Sequence, residues 1–309
     1  MNSLTKKLFF LYNPHAGKGQ IKGKLCGILQ ILSEAGYEIT VYPTKGYRDA
    51  TERVTHLPEG YDLVVCSGGD GTLDEVVAGM MRRENRLPIG YIPAGTCNDF
   101  ARSLKIPGHM EKAAVIAVHG EEFSFDVGSF NENNFIYIAA FGIFTDVSYS
   151  TRQEVKNVLG QMAYLLEGVK SLYNIKSYYL RVTSAEMCFE GDFLFGMITN
   201  SKSVGGFKSI IGQHVIFDDG VYEVTFIRRP RTPLELQEIL TALVTREIDN
   251  KYMYSFRSSR IRIEADEPIP WTLDGEFGGE HSQVLISNHP RAVRIRIPAG
   301  MQKSVKAKE

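Results

Sequence analysis

The sequence contains few of the residues that mark a secreted, zinc-binding or membrane-spanning protein. Only four cysteines occur in 309 residues, and none forms a Cys-x-x-Cys pair. Their wide spacing fits neither a disulfide framework nor a zinc site and favours a reducing cytoplasm. The longest later apolar run, residues 135–144, is about half the length of a membrane-spanning helix. No transmembrane segment is therefore predicted.

An excess of charge of one sign is also lacking. Lys and Arg number 35 against 36 Asp and Glu, so the formal net charge is -1. This balance gives no general attraction to nucleic acid or to an anionic membrane, and no nucleic-acid partner is predicted. Any contact with anionic headgroups must be local, although a solvated face is the commoner role of basic groups. The candidates are Arg228-Arg229-Arg231, Arg82-Arg83-Arg86 and Lys303-Lys306-Lys308.

The periodicity of the chain predicts two domains of different class. From residue 8 to about 120, short apolar runs alternate with amphipathic helical stretches, which predicts an α/β domain with a wound, mostly parallel sheet. From about residue 123 strand-like segments dominate, interrupted by helical stripes around 158–169 and 234–243, so this half is mostly β. We predict a nucleotide-binding α/β domain over 1–125, completed by 295–309, and a β-sandwich substrate domain over 126–294.

The clearest motif is a glycine-rich loop that follows the third predicted strand. Gly68, Gly69, Asp70, Gly71 and Thr72 open a helix, which Thr72 is predicted to cap. Three glycines allow a phosphate to approach the backbone N–H groups and the helix dipole. A tight turn with a helix cap is the commoner meaning of an arbitrary Gly-Asp-Gly.

Two further loops strengthen the phosphate-binding interpretation. The first predicted strand ends in Asn13, Pro14, His15, Ala16, Gly17 and Lys18, and the fourth is followed by Gly95 and Thr96. Open α/β sheets bind ligands at the carboxyl edge of their strands, where all three loops converge. Neither a Walker P-loop nor a strand-linked G-x-G-x-x-G is present, which disfavours a Walker ATPase and an ordinary dehydrogenase. Asp70 would be unfavourable beside phosphates without a cation, so we predict that it organises Mg²⁺ bound to ATP.

Taken together, these loops resemble the diacylglycerol kinase catalytic family, in particular the bacterial lipid kinases. The resemblance also includes the runs 93–102 and Leu273-Asp274-Gly275-Glu276 and spans nearly the whole chain. It implies an N-terminal nucleotide domain, a C-terminal β-sandwich and an active site in the cleft between them. NAD kinases share a similar Gly-Gly-Asp-Gly-Thr loop. Thr44, after the second predicted strand, completes the nucleotide-binding candidates.

Phosphoryl transfer needs a group that accepts the proton of the attacking hydroxyl, and a carboxylate is the usual solution. In an extended segment Asp274 and Glu276 would share one face, although Asp-Gly alone is more often a hairpin turn. The resemblance implies that the Glu is the proton acceptor, so we assign this role to Glu276 and an orienting or metal-linked role to Asp274.

The resemblance implies a second, structural Mg²⁺ in the segment that ends at Val221. Asp219 and the carbonyls of Ile216 and Val221 would bind it, whereas the residues alone favour a hairpin turn. Some relatives carry a lysine where this chain has Glu167, and nearby Lys170 is a candidate substitute. This difference bears on which acceptor the protein phosphorylates more than on whether it is a kinase.

The sequence thus predicts a cytoplasmic, ATP-dependent kinase that contacts the membrane surface peripherally and phosphorylates a lipid hydroxyl, that of diacylglycerol. The resemblance also implies a homodimer. Two alternatives remain open: a kinase of another lipid or of a soluble metabolite such as NAD, and a non-catalytic nucleotide- or lipid-binding regulator.

Overall fold

The structure of the chain is a computed structural model that describes residues 5–143, 176–200, 216–245 and 251–300. The chain divides into two compact units, Met1–Val127 with Pro290–Glu309, and Gly128–His289. These limits differ by a few residues from the predicted boundaries at 125/126 and 294/295. The predicted helix around 158–169, Glu167 and Lys170 lie outside the described residues, as do Lys303, Lys306 and Lys308.

The first unit is built on parallel strands in the order β13-β4-β3-β1-β2. Its elements are β1 (Lys6–Tyr12), α1 (Ile21–Glu34), β2 (Tyr37–Pro43), α2 (Asp49–Thr55), β3 (Leu63–Gly68), α3 (Asp70–Met81), β4 (Ile89–Pro93), α4 (Asp99–Ser103), α5 (Met110–His119) and β5 (Glu121–Phe130). β1 pairs in parallel with β2 and β3, and β3 pairs in parallel with β4. Ile295 of β13 (Glu276–Ile297) lies parallel beside Ile89.

Apolar stripes explain how the helices of this unit pack. α1 buries Ile21, Ile28 and Leu32, which recur at helical spacing, and it packs against α5. α2 packs against α3, where Gly79 leaves no room for a side chain beside Val54. β3 and β4 are buried along their whole length, as the continuous apolar runs predict.

β2 is less buried than the central strands of this sheet. This strand is the edge of the sheet and pairs with β1. Its residues are exposed or half-buried, and Val41 is among the exposed large hydrophobic residues. The apolar sequence of β2 therefore does not indicate that the strand is buried, because an edge strand keeps one side towards solvent.

The second unit is antiparallel and rich in strands. Its elements are β6 (Asn133–Phe135), β7 (Ile138–Gly142), β8 (Tyr178–Thr183), β9 (Cys188–Thr199), β10 (Tyr222–Arg228), α6 (Pro233–Thr245), β11 (Met253–Ser258), β12 (Arg260–Leu273) and β13. The strand order is β11-β10-β9-β7-β12-β13, and β8 pairs with both β9 and β12. Fully buried Trp271 packs edge-on against Phe130 and Phe141 at the centre of its aromatic core. The predicted strand-rich second domain is confirmed.

The apolar run that begins at residue 135 is divided between β6 and β7. The backbone N–H groups of Ile136, Tyr137 and Ile138 all donate to the carboxylate of Asp274. A continuous apolar pattern cannot reveal this division, because its cause lies more than a hundred residues away along the chain.

Among the described residues, no helix is both long and apolar enough to cross a membrane.

Candidate active site

The carboxyl ends of β1, β3 and β4 meet at one edge of the first unit because these strands run in parallel. The N–H of Asn13 donates to the carbonyl of Ser67 at 2.8 Å, and the N–H of Ala94 donates to that of Gly68 at 2.7 Å. The loops that follow the three strands are therefore held against one another.

Close backbone contacts explain why glycine is required in these loops. Gly17 has a positive φ of +52°, and a Cβ there would lie 1.8 Å from the carbonyl oxygen of Ala94. A Cβ on Gly95 would lie 2.6 Å from the Cα of Gly69, and one on Gly68 would lie 2.3 Å from the Oγ1 of Thr72. Main chain packs directly on main chain, which leaves backbone groups open to an approaching anion.

The remaining predicted nucleotide-binding residues line the same edge. The side chain of Asn13 accepts the N–H of His15 at 2.9 Å and lies 3.5 Å from the Oγ1 of Thr72. The N–H of Thr44 donates to the carbonyl of Tyr12 at 2.9 Å, which places the end of β2 beside the end of β1. Pro14 precedes a 3-10 turn over Ala16–Gly19, and Thr96 is exposed.

The glycine-rich loop opens α3 as predicted, but the predicted cap is wrong. The N-cap is Gly69, which has no side chain, and the helix already begins at Asp70. Thr72 lies in the first turn, where its N–H bonds the carbonyl of Gly69 at 3.1 Å. The helix follows β3 directly, so the N–H groups of its first turn lie at the carboxyl edge of the sheet. No side chain caps them, which suits an anion.

Asp70 is partly committed to holding the site together. Its Oδ2 accepts the N–H of Asp99, at the start of α4, at 3.2 Å. Its Oδ1 is buried, and no donor among the described residues reaches it. Burial raises the pKa of Asp70, while backbone hydrogen bonds to its carboxylate oppose the shift. A buried carboxylate oxygen with no donor fits a role in holding a cation.

Sequence reasoning missed two residues that shape the Gly95 loop. Asn98 has a positive φ of 50°, accepts the N–H of Gly95 at 3.0 Å and donates to the carbonyl of Gly95 at 2.8 Å. The buried hydroxyl of Tyr91 donates to the carbonyl of Gly68 at 3.2 Å. Asparagine tolerates this left-handed conformation, which is the signal that its position after Gly95-Thr96 offered.

The extended geometry predicted for Asp274 and Glu276 is wrong. Leu273 pairs directly with Glu276, so Asp274 and Gly275 form a two-residue hairpin turn between β12 and β13. Both turn residues have positive φ, 50° and 87°, as the type I′ turn of an Asp-Gly hairpin requires. The two carboxylates therefore do not share one face of a strand.

Asp274 faces the interior of the second unit, whereas Glu276 is exposed. The Asp274 side chain accepts three backbone N–H groups, those of Ile136 at 2.5 Å and of Tyr137 and Ile138 at 2.9 Å. The hydroxyl of Tyr137 in turn donates to the Asp274 carbonyl at 2.9 Å. Asp274 thus fixes the turn that presents Glu276.

The predicted structural Mg²⁺ site contains a competing cation. The Oδ1 of Asp219 accepts the N–H of Val221 at 3.2 Å, and its Oδ2 accepts a hydrogen bond from the guanidinium of Arg257. Arg257 also lies 3.5 Å from the Oε1 of Glu223. Both oxygens of the only predicted carboxylate ligand are therefore engaged, and a guanidinium already lies beside Oδ2. The residues present do not fit Mg²⁺ at Asp219.

Two of the three arginines in the group Arg82-Arg83-Arg86 are engaged by backbone carbonyls. Arg83 is buried, and its guanidinium donates to the carbonyls of Val54 and Leu57 at 3.1 and 2.6 Å. Arg86 donates to the carbonyl of Ala292 at 3.0 Å. The sequence alone could not show which arginine side chains donate hydrogen bonds to backbone carbonyls and which are exposed to solvent.

Two family models match the chain. Residues 7–130 match the diacylglycerol kinase catalytic domain, and residues 140–297 match the YegS C-terminal NAD kinase beta sandwich-like domain. A diacylglycerol kinase of Bacillus subtilis is 32% identical over 276 residues, covering 89% of this chain and 91% of that protein. One from Staphylococcus aureus strain MRSA252 is 35% identical over 283 residues, covering 90% and 88%.

Among solved structures, a diacylglycerol kinase from Bacillus anthracis superposes with a TM-score of 0.77. It is 24% identical and covers 97% of this chain and 100% of that one, which shows the fold.

The fold and the two matched domains identify a two-domain kinase with a YegS-like C-terminal domain. The chain belongs to the diacylglycerol kinase family.

Proposed function

We propose that the protein transfers the γ-phosphoryl group of ATP to the hydroxyl of diacylglycerol and forms phosphatidic acid. The observation that carries this proposal is the convergence of the Gly17, Gly69 and Gly95 loops at one sheet edge, in a chain from this family. Bare backbone at a helix N-terminus suits a polyphosphate. The acceptor is inferred from the names of the relatives.

In this proposal the first unit holds the triphosphate through backbone groups. The contacting residues are Asn13, Pro14, His15, Ala16, Gly17, Lys18, Thr44, Gly68, Gly69, Gly71, Thr72, Gly95 and Thr96. Asp70 uses its donor-free Oδ1 to hold Mg²⁺, directly or through water. When bound, Mg²⁺ neutralises charge on the β- and γ-phosphates.

The second unit supplies the proton acceptor. Glu276 is exposed at the start of β13, directly after a turn that three hydrogen bonds to Asp274 make rigid. Its carboxylate takes the proton of the acceptor hydroxyl as the oxygen attacks phosphorus in line with the leaving ADP. Because the acceptor is a membrane lipid, we propose that the protein contacts the membrane surface peripherally during turnover.

A panel assay tests the acceptor. Purified protein is incubated with labelled ATP and Mg²⁺ and with diacylglycerol, ceramide, sphingosine, undecaprenol or NAD. We expect label in phosphatidic acid. Label in NADP alone would overturn the lipid assignment, whereas label in another lipid would overturn only diacylglycerol. The NAD alternative is included because the second unit matches a domain described as NAD kinase-like.

Gly95→Ala tests the phosphate loops independently of the acceptor. The added Cβ would lie 2.6 Å from the Cα of Gly69 and 2.8 Å from the Oδ1 of Asn98, so backbone must move apart. Overpacking of this kind costs roughly 1–3 kcal/mol, and we expect ATP affinity to fall about tenfold. Calorimetric titration with a non-hydrolysable ATP analogue measures it.

Gly108→Ala is the matched control, because a Cβ at Gly108 meets nothing within 4 Å. Equal affinity of the Gly95→Ala and Gly108→Ala variants would show that the Gly95 loop does not contact the nucleotide.

A further inference from the structure

The segment before β10 is held by a salt bridge that involves Asp219. Asp219 lies at an exposed position of the chain, but only 20% of its side chain is accessible to solvent. Its Oδ1 accepts the N–H of Val221, two residues ahead, which closes a local turn. Its Oδ2 pairs with the guanidinium of Arg257, 38 residues further along the chain. The turn is therefore fixed to a distant strand through a cation that the chain itself supplies.

Arg257 reaches this turn because of strand register. β10 and β11 are antiparallel, and Glu223 lies directly opposite Arg257 in their register. The Nε of Arg257 is 3.5 Å from the Oε1 of Glu223, whose side chain is only 17% exposed. One guanidinium thus serves two shielded carboxylates, one through Nη2 and one through Nε. A planar fork of donors suits this arrangement better than the single ammonium group of lysine.

A divalent cation on Asp219 would meet the positive charge of Arg257. The Oδ2 of Asp219 already pairs with the guanidinium of Arg257, and its Oδ1 accepts the N–H of Val221. A dication on this carboxylate would have to lie beside the guanidinium or push it away from Asp219, and the repulsion between the two cations makes this unfavourable. We infer that Arg257 takes the place of a structural metal ion in this chain and that the second unit is stable without a divalent cation.

If Arg257 replaces the metal ion, the Tm of the native chain does not depend on Mg²⁺. It depends on Mg²⁺ only when Arg257 is removed. Trp271 is the only tryptophan in the sequence and is fully buried in the second unit, so its fluorescence reports the unfolding of that unit. Thermal unfolding is followed in nucleotide-free, full-length protein, with EDTA or with MgCl₂.

For the unsubstituted chain we expect the same Tm in EDTA and in MgCl₂. Arg257→Met is expected to lower Tm in EDTA by about 5 °C, because two shielded carboxylates lose their cation. Mg²⁺ should restore part of this loss, and the double variant Asp219→Asn with Arg257→Met should lose that response. Arg262→Met, which removes an exposed pair with Glu264, is the matched control and should change Tm by at most about 1 °C.

Two results would overturn the inference. One is a fall in Tm of the unsubstituted chain on addition of EDTA that MgCl₂ reverses. The other is an Arg257→Met variant as stable as the control in EDTA. If Arg257→Met does not yield folded protein, Arg257→Lys retains one charge without the fork and is compared in its place, with the same expected direction.

Discussion

Replacing Glu276 by Gln is expected to lower kcat by a factor of about 10²–10⁴, the usual contribution of a positioned general base. The amide has the same shape but cannot accept the proton of the acceptor hydroxyl. Since Glu276 is exposed, the fold should be retained. Labelled-ATP turnover and the unfolding of Trp271 measure the two effects.

Glu280→Gln is the matched control for this experiment. Glu280 is exposed on the same strand, four residues further on, so the substitution removes a like charge from the same strand. We expect its kcat to stay within about twofold of the unsubstituted protein, the size of a surface effect. Full turnover by the Glu276→Gln variant would disprove the assignment of the proton acceptor.

The second large effect is expected from Asp274→Ala, which should reduce the stability of the second unit by about 3–5 kcal/mol. The carboxylate is 5% exposed and accepts three backbone N–H groups, which would be left without a partner. Urea unfolding followed by the fluorescence of Trp271 reports this unit directly. Its midpoint should move to a markedly lower urea concentration.

Asp274→Asn separates the positioning of Glu276 from global stability. The amide keeps one acceptor oxygen, so the variant should fold under assay conditions but hold the turn less firmly. We expect kcat to fall with little change in the KM for ATP. Asp266→Asn on the same strand, an exposed position, is the control for loss of charge. A kcat for Asp274→Asn equal to that of the control would argue against a positioning role.

Local features of the candidate site followed well from sequence. The glycines between β3 and α3 and after β4 were predicted to let a phosphate approach the backbone, which stays a prediction. The structure shows that the Gly95 and Gly69 backbones pack closely on each other. Thr72 was wrongly chosen as the helix cap, since Ser, Thr and Gly can all occupy that position and only the backbone dihedrals decide among them. Asn98 and Tyr91 were missed because their partners are backbone groups, which no side-chain pattern identifies.

The failures share one physical cause. Asp274 and Glu276 were placed on one face of a strand, but both residues after Leu273 adopt positive φ and turn the chain. A two-residue Asp-Gly turn and a continuing strand have the same local sequence. Burial of Asp274 against the N–H groups of Ile136, Tyr137 and Ile138 decides between them, and it depends on residues from a different part of the chain.

By itself, the sequence determined the two-domain character of the chain and the positions of its glycine-rich loops, because periodicity and glycine spacing are local properties. The family followed from resemblance to known motifs. Only the tertiary structure decided which carboxylates remain available to accept a proton or bind a metal ion. It engages Asp274 with backbone N–H groups, pairs Asp219 with Arg257 and leaves Glu276 exposed. The availability of a charged group depends on the partners that folding brings to it, and these lie far away in sequence.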